Sequence, residues 1–257
     1  MPSLQPPIAD IAGIGAAYGA PQTVARYVED RFSSELMRLL HERQVRAVDD
    51  VLRAVQPRNA LEVAPGPGRI TRDVNPVGRL VCLEYNESMI SAGRSCCDQR
   101  VQWVQGNAFE LPFAANEFDF AYSFRFVRHF RYPDRRRLYA ELHRVLSPGA
   151  FLVLDAVNQA VSGPLRAAQP QDYPIYDKLY RDPTELRREL SDAGFAIVRL
   201  DPVQRWFRWQ FQAQIWLGPR SRRCCRLAVR LLEHLRRGPS LEWIVTARKV
   251  NEVKAPR

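Results

Sequence analysis

The chain of 257 residues is 46% hydrophobic and 26% charged, an ordinary globular composition at a length that supports one large core or two small ones, which excludes disorder throughout. Its 38 basic and 28 acidic residues give a net charge of +10, bringing nucleic acid, acidic lipid and anionic metabolites forward as partners. The excess is local: residues 1–200 carry 25 basic and 24 acidic side chains, whereas residues 201–257 carry 13 and 4.

Residues 1–23, with Pro2, Pro6 and Pro7, read as a partly disordered leader. Its apolar stretch 8–20 has no Lys or Arg before it and is interrupted by Asp10, so it lacks the charged start of a secretory signal. From Val24 to Val55 apolar residues recur at three- and four-residue steps (Leu36, Leu39, Leu40, Val45, Val48, Val51, Leu52), which predicts N-terminal amphipathic helices over 24–56, stopped by Pro57. Short apolar runs then alternate with helical stretches, the pattern of a parallel sheet built from βαβ units. Strands are predicted at 60–64, 79–84, 101–105, 118–123 and 150–156, with helices near 68–74, 88–95 and 135–146. Ser147-Pro148-Gly149 reads as a breaker between helix and strand. Asp182-Pro183-Thr184-Glu185 opens another helix, with Asp182 as N-cap and Gly194 as its end. Strands at 195–203 and 241–250 bring the total to seven, and the insertion 204–240 between them holds aromatic residues followed by an arginine-rich helical stretch; 251–257 is a tail. The five cysteines, Cys82, Cys96, Cys97, Cys224 and Cys225, include two vicinal pairs and no metal-ligand spacing, which fits a reducing cytoplasm and no metal site. No uncharged apolar run approaches the ~18–20 residues that span a bilayer.

The strongest local signal is Leu61-Glu62-Val63-Ala64-Pro65-Gly66-Pro67-Gly68-Arg69-Ile70-Thr71. A strand, a turn with glycines two apart and a helix start let a ligand approach the backbone and offer free N–H groups to an anion. Twenty-two residues after Glu62, Glu84 stands at the C-terminal end of the next strand, where an acid accepts both hydroxyls of a ribose.

With VQGNAFELPF, FDFAYSFRFVRHF and ELHRVLSPGAFLVL following LEVAPGPGRIT and LVCLEYNESMI in order, the chain resembles the class I S-adenosylmethionine-dependent methyltransferases over roughly 58–203 and the last strand. The subgroup resembled acts on small molecules of quinone, lipid and natural-product pathways. The resemblance implies an α/β fold, a doubly wound, mostly parallel seven-stranded sheet of Rossmann-like type with N-terminal helices and a C-terminal insertion, in one methyltransferase domain over 24–257 whose cofactor-binding core is 57–203. It implies S-adenosyl-L-methionine as cofactor. Glu62 would lie under the methionine moiety, with backbone at Ala64, Pro65 and Gly66 wrapping it and Gly68 completing the loop. Glu84 would bind the ribose, Tyr85 would pack on adenine, Asn107 and Ala108 would meet its edge, and Tyr122 would sit near the reacting methyl. Ala64 and Asn107 depart from the family's usual glycine and aspartate, adding a methyl group and removing a charge from the adenine contact.

Methyl transfer is an in-line displacement that needs positioning above all. For a hydroxyl acceptor, His129 is the best-placed base, against the alternative that it packs as a neutral histidine, and Asp155 is a second candidate. Arg125 and Arg128 could bind an anionic acceptor; Tyr173, Tyr176 and Tyr180 could line its site or pack in the core; Tyr18 and Tyr27 could belong to a lid. Residues 207–217 alternate as a strand does but also give a helical face, and 220–237 sets leucines between arginines. That stretch covers the substrate site or touches an anionic membrane, making the protein cytoplasmic or peripherally membrane-bound. The expected function is methylation of a small-molecule acceptor, lipophilic or not, at oxygen or carbon. The alternatives are an inactive scaffold of the same fold and an RNA methyltransferase, the latter disfavoured because Tyr122-Ser123-Phe124-Arg125 replaces the catalytic signature of base methylation and no RNA-binding module is visible.

Overall fold

The apolar runs of the central chain do form one sheet. In a computed structural model, which describes residues 7–8, 10–19, 32–235 and 237–250, eight strands pair: β1 (Asn59–Val63), β2 (Arg79–Glu84), β3 (Gln102–Gln105), β4 (Phe118–Ser123), β5 (Leu146–Asn158), β6 (Leu179–Tyr180), β7 (Phe195–Arg205) and β8 (Ser240–Lys249). The order is β3-β2-β1-β4-β5-β8-β7, with β6 pairing β5 outside that path. β6 is the strand beyond the expected seven, and its two residues are too few to leave an apolar run. Pairs among β1 to β5 are parallel, whereas β8 lies antiparallel between β5 and β7.

Strand residues of alternate parity serve two cores, as a period of two requires. Leu61, Val81, Ala121, Leu152 and Val245 face α4 (Tyr132–Val145) and α6 (Pro183–Asp192) through Leu138, Leu142, Leu186 and Leu190. Ala60, Leu80, Phe120, Val153 and Ile244 face α2 (Glu35–Val55) through Leu40, Val48, Val51 and Leu52. Burial on both faces explains why the central strands read as continuous apolar runs. Ser34 caps α2, its Oγ accepting from the Met37 amide at 3.2 Å. Asp182 caps α6 by accepting from the Thr184 and Glu185 amides at 2.7 and 2.9 Å.

Several expectations change. The helix expected over 68–74 is a series of turns with scattered bonds, among them Arg72 N–H to the Gly68 carbonyl and Asp73 and Val74 N–H to that of Ile70. Pro65 and Pro67 remove donors, and Ala64, Gly66 and Gly68 all have positive φ (56, 59 and 75°), which an α-helix start cannot absorb. Ser147-Pro148-Gly149 does not break the chain but lies inside β5, where the register against β4 shifts between Phe118 and Phe120; a bulge takes up a proline that cannot donate to the ladder. Residues 207–217 are helical, as α7 (Phe207–Leu217), packed on α8 (Arg222–His234). Tertiary packing decides where periodicity was ambiguous. α1 (Ile11–Gly19) falls within the expected leader. The expectations for residues 1–6, 9, 20–31 (Val24 and Tyr27 among them), 236 and 251–257 lie outside the described residues. α3 (Glu87–Cys96) and α5 (Gln159–Ala168) complete the helices used below.

Candidate active site

At the C-terminal edge of β1, β2 and β4 a cavity of about 340 Å³ opens, lined by the glycine loop, the ends of β2 and β3, α1 and the segment after β4. The parallel register sets Glu62 beside Cys82 and Tyr122. Its Oε2 accepts from Thr71 Oγ1 at 2.6 Å and from the Tyr122 hydroxyl at 2.9 Å. Burial pushes this carboxyl up to about 7, against the pull of those hydrogen bonds and of Arg69. Glu84 ties the loop down: Oε2 accepts from Gly66 N–H at 3.0 Å, and Oε1 from the Tyr85 and Asn86 amides at 2.9 and 3.0 Å. Burial raises its pKa while the three amides oppose the rise.

The Arg69 guanidinium lies 4.0 Å over the Phe32 ring and donates to His41 Nδ1 at 2.8 Å and to Gln44 Oε1 at 2.7 Å. His41 Nε2–H donates in turn to Asp73 at 2.7 Å, and burial together with Arg69 lowers the His41 pKa. A held cation thus stands in the same cavity as the Glu62 carboxyl.

On the far wall, His129 ends a short 3-10 turn after β4. Its Nδ1 donates to the Tyr176 carbonyl at 3.1 Å and lies 2.7 Å from Asp177 Oδ1. With the proton placed on that side by the Tyr176 carbonyl and the nearby Asp177 carboxylate, Nε2 accepts from the Tyr18 hydroxyl of α1 at 3.1 Å. Burial raises the Asp177 pKa, but Arg128, His129 and Arg166 outweigh it and hold the carboxyl well below the usual range. Phe109, Phe124, Phe126, Phe130, Ile11 and Ile14 supply apolar wall.

The profile of a methyltransferase domain family matches residues 61–154, the segment that builds the loop, the acid at β2 and the β4 wall. Residues 61–154 therefore carry a methyltransferase domain. The chain is 25% identical over 199 residues to the demethylmenaquinone methyltransferase of Listeria welshimeri, covering 66% of this chain and 84% of that protein. The magnesium protoporphyrin IX methyltransferase of Synechocystis PCC 6803, solved with S-adenosylhomocysteine, superposes with a TM-score of 0.64 at 11% identity over 93% of this chain and 100% of that one. The 1,6-didemethyltoxoflavin-N1-methyltransferase of Burkholderia thailandensis gives 0.58 at 17% identity over 96% and 94%. At these identities the two structures speak for the fold.

The residues of this cavity fit S-adenosylmethionine as cofactor. A Cβ built on Gly66 would meet nothing within 4 Å, so the loop leaves room above its backbone. Carboxylates at 62 and 84 and the guanidinium at 69 match the charges and hydroxyls of a methionyl nucleoside. Among the expected site residues, Glu62, Ala64, Pro65, Gly66, Glu84, Tyr85, Asn107, Ala108 and His129 line this one cavity. Asn107 Oδ1 also accepts from the Phe109 amide at 3.0 Å. Tyr85 is exposed, its ring edge 3.5 Å from where a Cβ on Gly15 of α1 would stand.

Three expected residues stand elsewhere. Tyr122 is buried behind Glu62 rather than beside a reacting methyl. Gly68 is buried away from the cavity, where an added Cβ would come 2.5 Å from Cys97 Sγ and 3.4 Å from the Trp103 ring. Asp155 is enclosed, accepting from the Arg125 amide at 2.7 Å and from Arg128 at 3.0 Å; the same Arg128 pairs with Glu242 at 2.8 Å and with Asp177 at 3.2 Å. Arg128 is therefore consumed in neutralising three carboxylates and is withdrawn as an acceptor-binding residue, while Arg125 lines the cavity. Tyr180 is a core residue donating to Glu189 at 2.8 Å. Sequence reasoning overlooked Arg69 and Asp177. A basic residue directly after the glycine loop was a visible signal for the first; nothing local marks the second, which reaches His129 across 48 residues of chain.

Proposed function

We propose that the methyltransferase methylates a small, lipophilic metabolite at a hydroxyl or at an acidic carbon, with His129 as the base. The single observation that carries this reading is one imidazole, oriented by Asp177 and the Tyr176 carbonyl, set in a wall of aromatic side chains within the cofactor cavity. The name of the menaquinone-pathway relative supports a lipophilic acceptor.

When bound, the cofactor supplies a methyl group on a sulfonium, open to in-line displacement. Glu84 accepts from the ribose hydroxyls, Tyr85, Asn107 and Ala108 hold the adenine, and the backbone of Ala64, Pro65 and Gly66 encloses the methionyl part. Glu62 and Arg69 hold its ammonium and carboxylate, one opposite charge each. Gly68 and Tyr122 shape this site from behind. The apolar wall excludes water and orients the acceptor. His129 Nε2 would receive the acceptor's proton as the acceptor–methyl bond forms and the methyl–sulfur bond breaks with its electron pair left on sulfur; Asp177 would stabilise the resulting imidazolium, and Tyr18 would shift its hydroxyl aside to admit the acceptor.

Titration calorimetry with S-adenosylhomocysteine tests the site. Wild type is expected to bind and Glu84→Ala to bind about 10–100-fold more weakly, as loss of charge-assisted hydrogen bonds dictates. Absence of wild-type binding at about millimolar ligand overturns the reading. Transfer of labelled methyl to a quinol or phenol in a lipid extract identifies the acceptor class.

A further inference from the structure

The insertion 204–240 contains nine arginines and one acid, Glu233, and that acid is buried, with one of its oxygens accepting from the Arg205 amide and from Gln210. α8 is held to α2 on its inner face by Cys225 and Val229, packed on Leu36 and Leu39. Arg226 and Arg230, pairing with Glu35 and Glu42 at 2.8 Å each, brace that contact. The opposite face carries a second apolar stripe at helical spacing: Leu227 and Leu231 are each 61% exposed and Leu235 53%. On neighbouring α7, Trp209 and Trp216 are 64% and 62% exposed. Arg208, Arg222 and Arg223 are exposed as well and make no ion pair among the described residues.

Leucines and tryptophans left in water on a helix pair without an exposed carboxylate need a partner that is both apolar and anionic. A second copy would bring the same positive surface against itself. RNA would stack on the tryptophans and leave the leucine stripe unburied. An anionic bilayer satisfies both, burying the leucines below the headgroups, placing indoles at the interface and setting phosphates against guanidinium groups. Among the described residues no helix is long and apolar enough to cross a membrane, so the contact is peripheral.

The topology gives the contact a direction. β5 and β7 both run antiparallel to β8, so they are parallel to each other, and β7 delivers α7 at the sheet edge where β1 and β4 end and the cavity opens. We propose that α7 and α8 form a docking surface for an anionic lipid bilayer, with Trp209, Trp216, Leu227 and Leu231 in the interface and Arg222 and Arg223 against lipid phosphates. Docking turns the cavity edge toward the lipid; the surface itself is inferred independently of the acceptor.

The full chain is sedimented with phosphatidylcholine vesicles and with vesicles containing about a quarter phosphatidylglycerol. Wild type is expected to pellet with the anionic vesicles and to be released by salt. Arg222→Gln with Arg223→Gln lowers the partition coefficient roughly twenty-five-fold, from about fivefold per basic residue near such a surface. Leu227→Ser with Leu231→Ser lowers it by at least about tenfold. Both double variants keep the wild-type melting temperature and S-adenosylhomocysteine affinity. Calorimetry that finds no cofactor binding would count against the enzymatic reading alone. Equal binding to both vesicle types, binding to neither, a dimer that the leucine variant dissolves, or RNA retention that outcompetes vesicles would each overturn the docking surface.

Discussion

Replacing Glu62 by Gln tests the electrostatics of the cavity floor directly. The carboxyl titrates near pH 7 in the folded protein against an ordinary value of 4.5, because burial disfavours its charge more than Thr71, Tyr122 and Arg69 favour it. A raised folded value means that the native state binds the extra proton, so the stability it confers is complete below about pH 4.5 and is lost as pH rises through about 7. A difference of about 2.5 pKa units corresponds to about 3 kcal/mol. Glutamine has nearly the same shape, can still accept from Thr71 and Tyr122, and does not ionise. The stability difference between Glu62→Gln and wild type should therefore move in favour of the variant by about 3 kcal/mol between pH 4.5 and pH 8, or roughly 6–10 °C of melting temperature at the upper end. Urea denaturation at several pH values measures it, and all other titrating groups cancel in the difference. A difference constant within about 0.5 kcal/mol across that range would show that Glu62 is ionised throughout and would refute the reasoning.

Three further outcomes follow from single contacts. His129→Asn should lower kcat about 10²–10⁴-fold while leaving S-adenosylhomocysteine affinity within about twofold; an unchanged rate would make His129 a packing residue. Gly93→Ala in α3 places a Cβ 2.2 Å from the Trp103 ring and should destabilise the protein by about 1–3 kcal/mol in urea, so an unmoved midpoint would mean that Trp103 has room to yield. Arg135→Ala breaks a buried two-pronged pair with Glu189, both bonds at 2.7 Å, and should cost about 3–5 kcal/mol; adding Glu189→Leu should recover much of that loss, because the stranded carboxylate, rather than the lost attraction, is the main penalty.

The central strands and the loop from Glu62 to Gly68 were legible because both are local. A strand buried on two faces is a run of apolar residues, and a backbone that must bend at positive φ calls for glycine. Glu84 was legible for the same reason, as an acid that ends a strand at a set distance from another. The chain also announced its uneven charge. Other features depended on what packs against them. Residues 207–217 suit a strand as well as a helix, and the contact with α8 and α2 decided for the helix. The helix expected after the loop was lost to three residues of positive φ, Ala64, Gly66 and Gly68, alternating with prolines. His129 was visible as a residue but not its contacts, since Tyr18 comes from α1 and Asp177 from the segment before β6. Asp155 and Arg128 resembled site residues until the fold closed them into one buried cluster with Glu242. The sequence by itself therefore determined most of the sheet, the glycine loop that lines the cavity and the placement of charge, which follow from residue type and short spacing. Only the tertiary structure decided which polar groups face the cavity and which neutralise one another, because that choice rests on residues more than a hundred positions apart meeting in the same few ångströms.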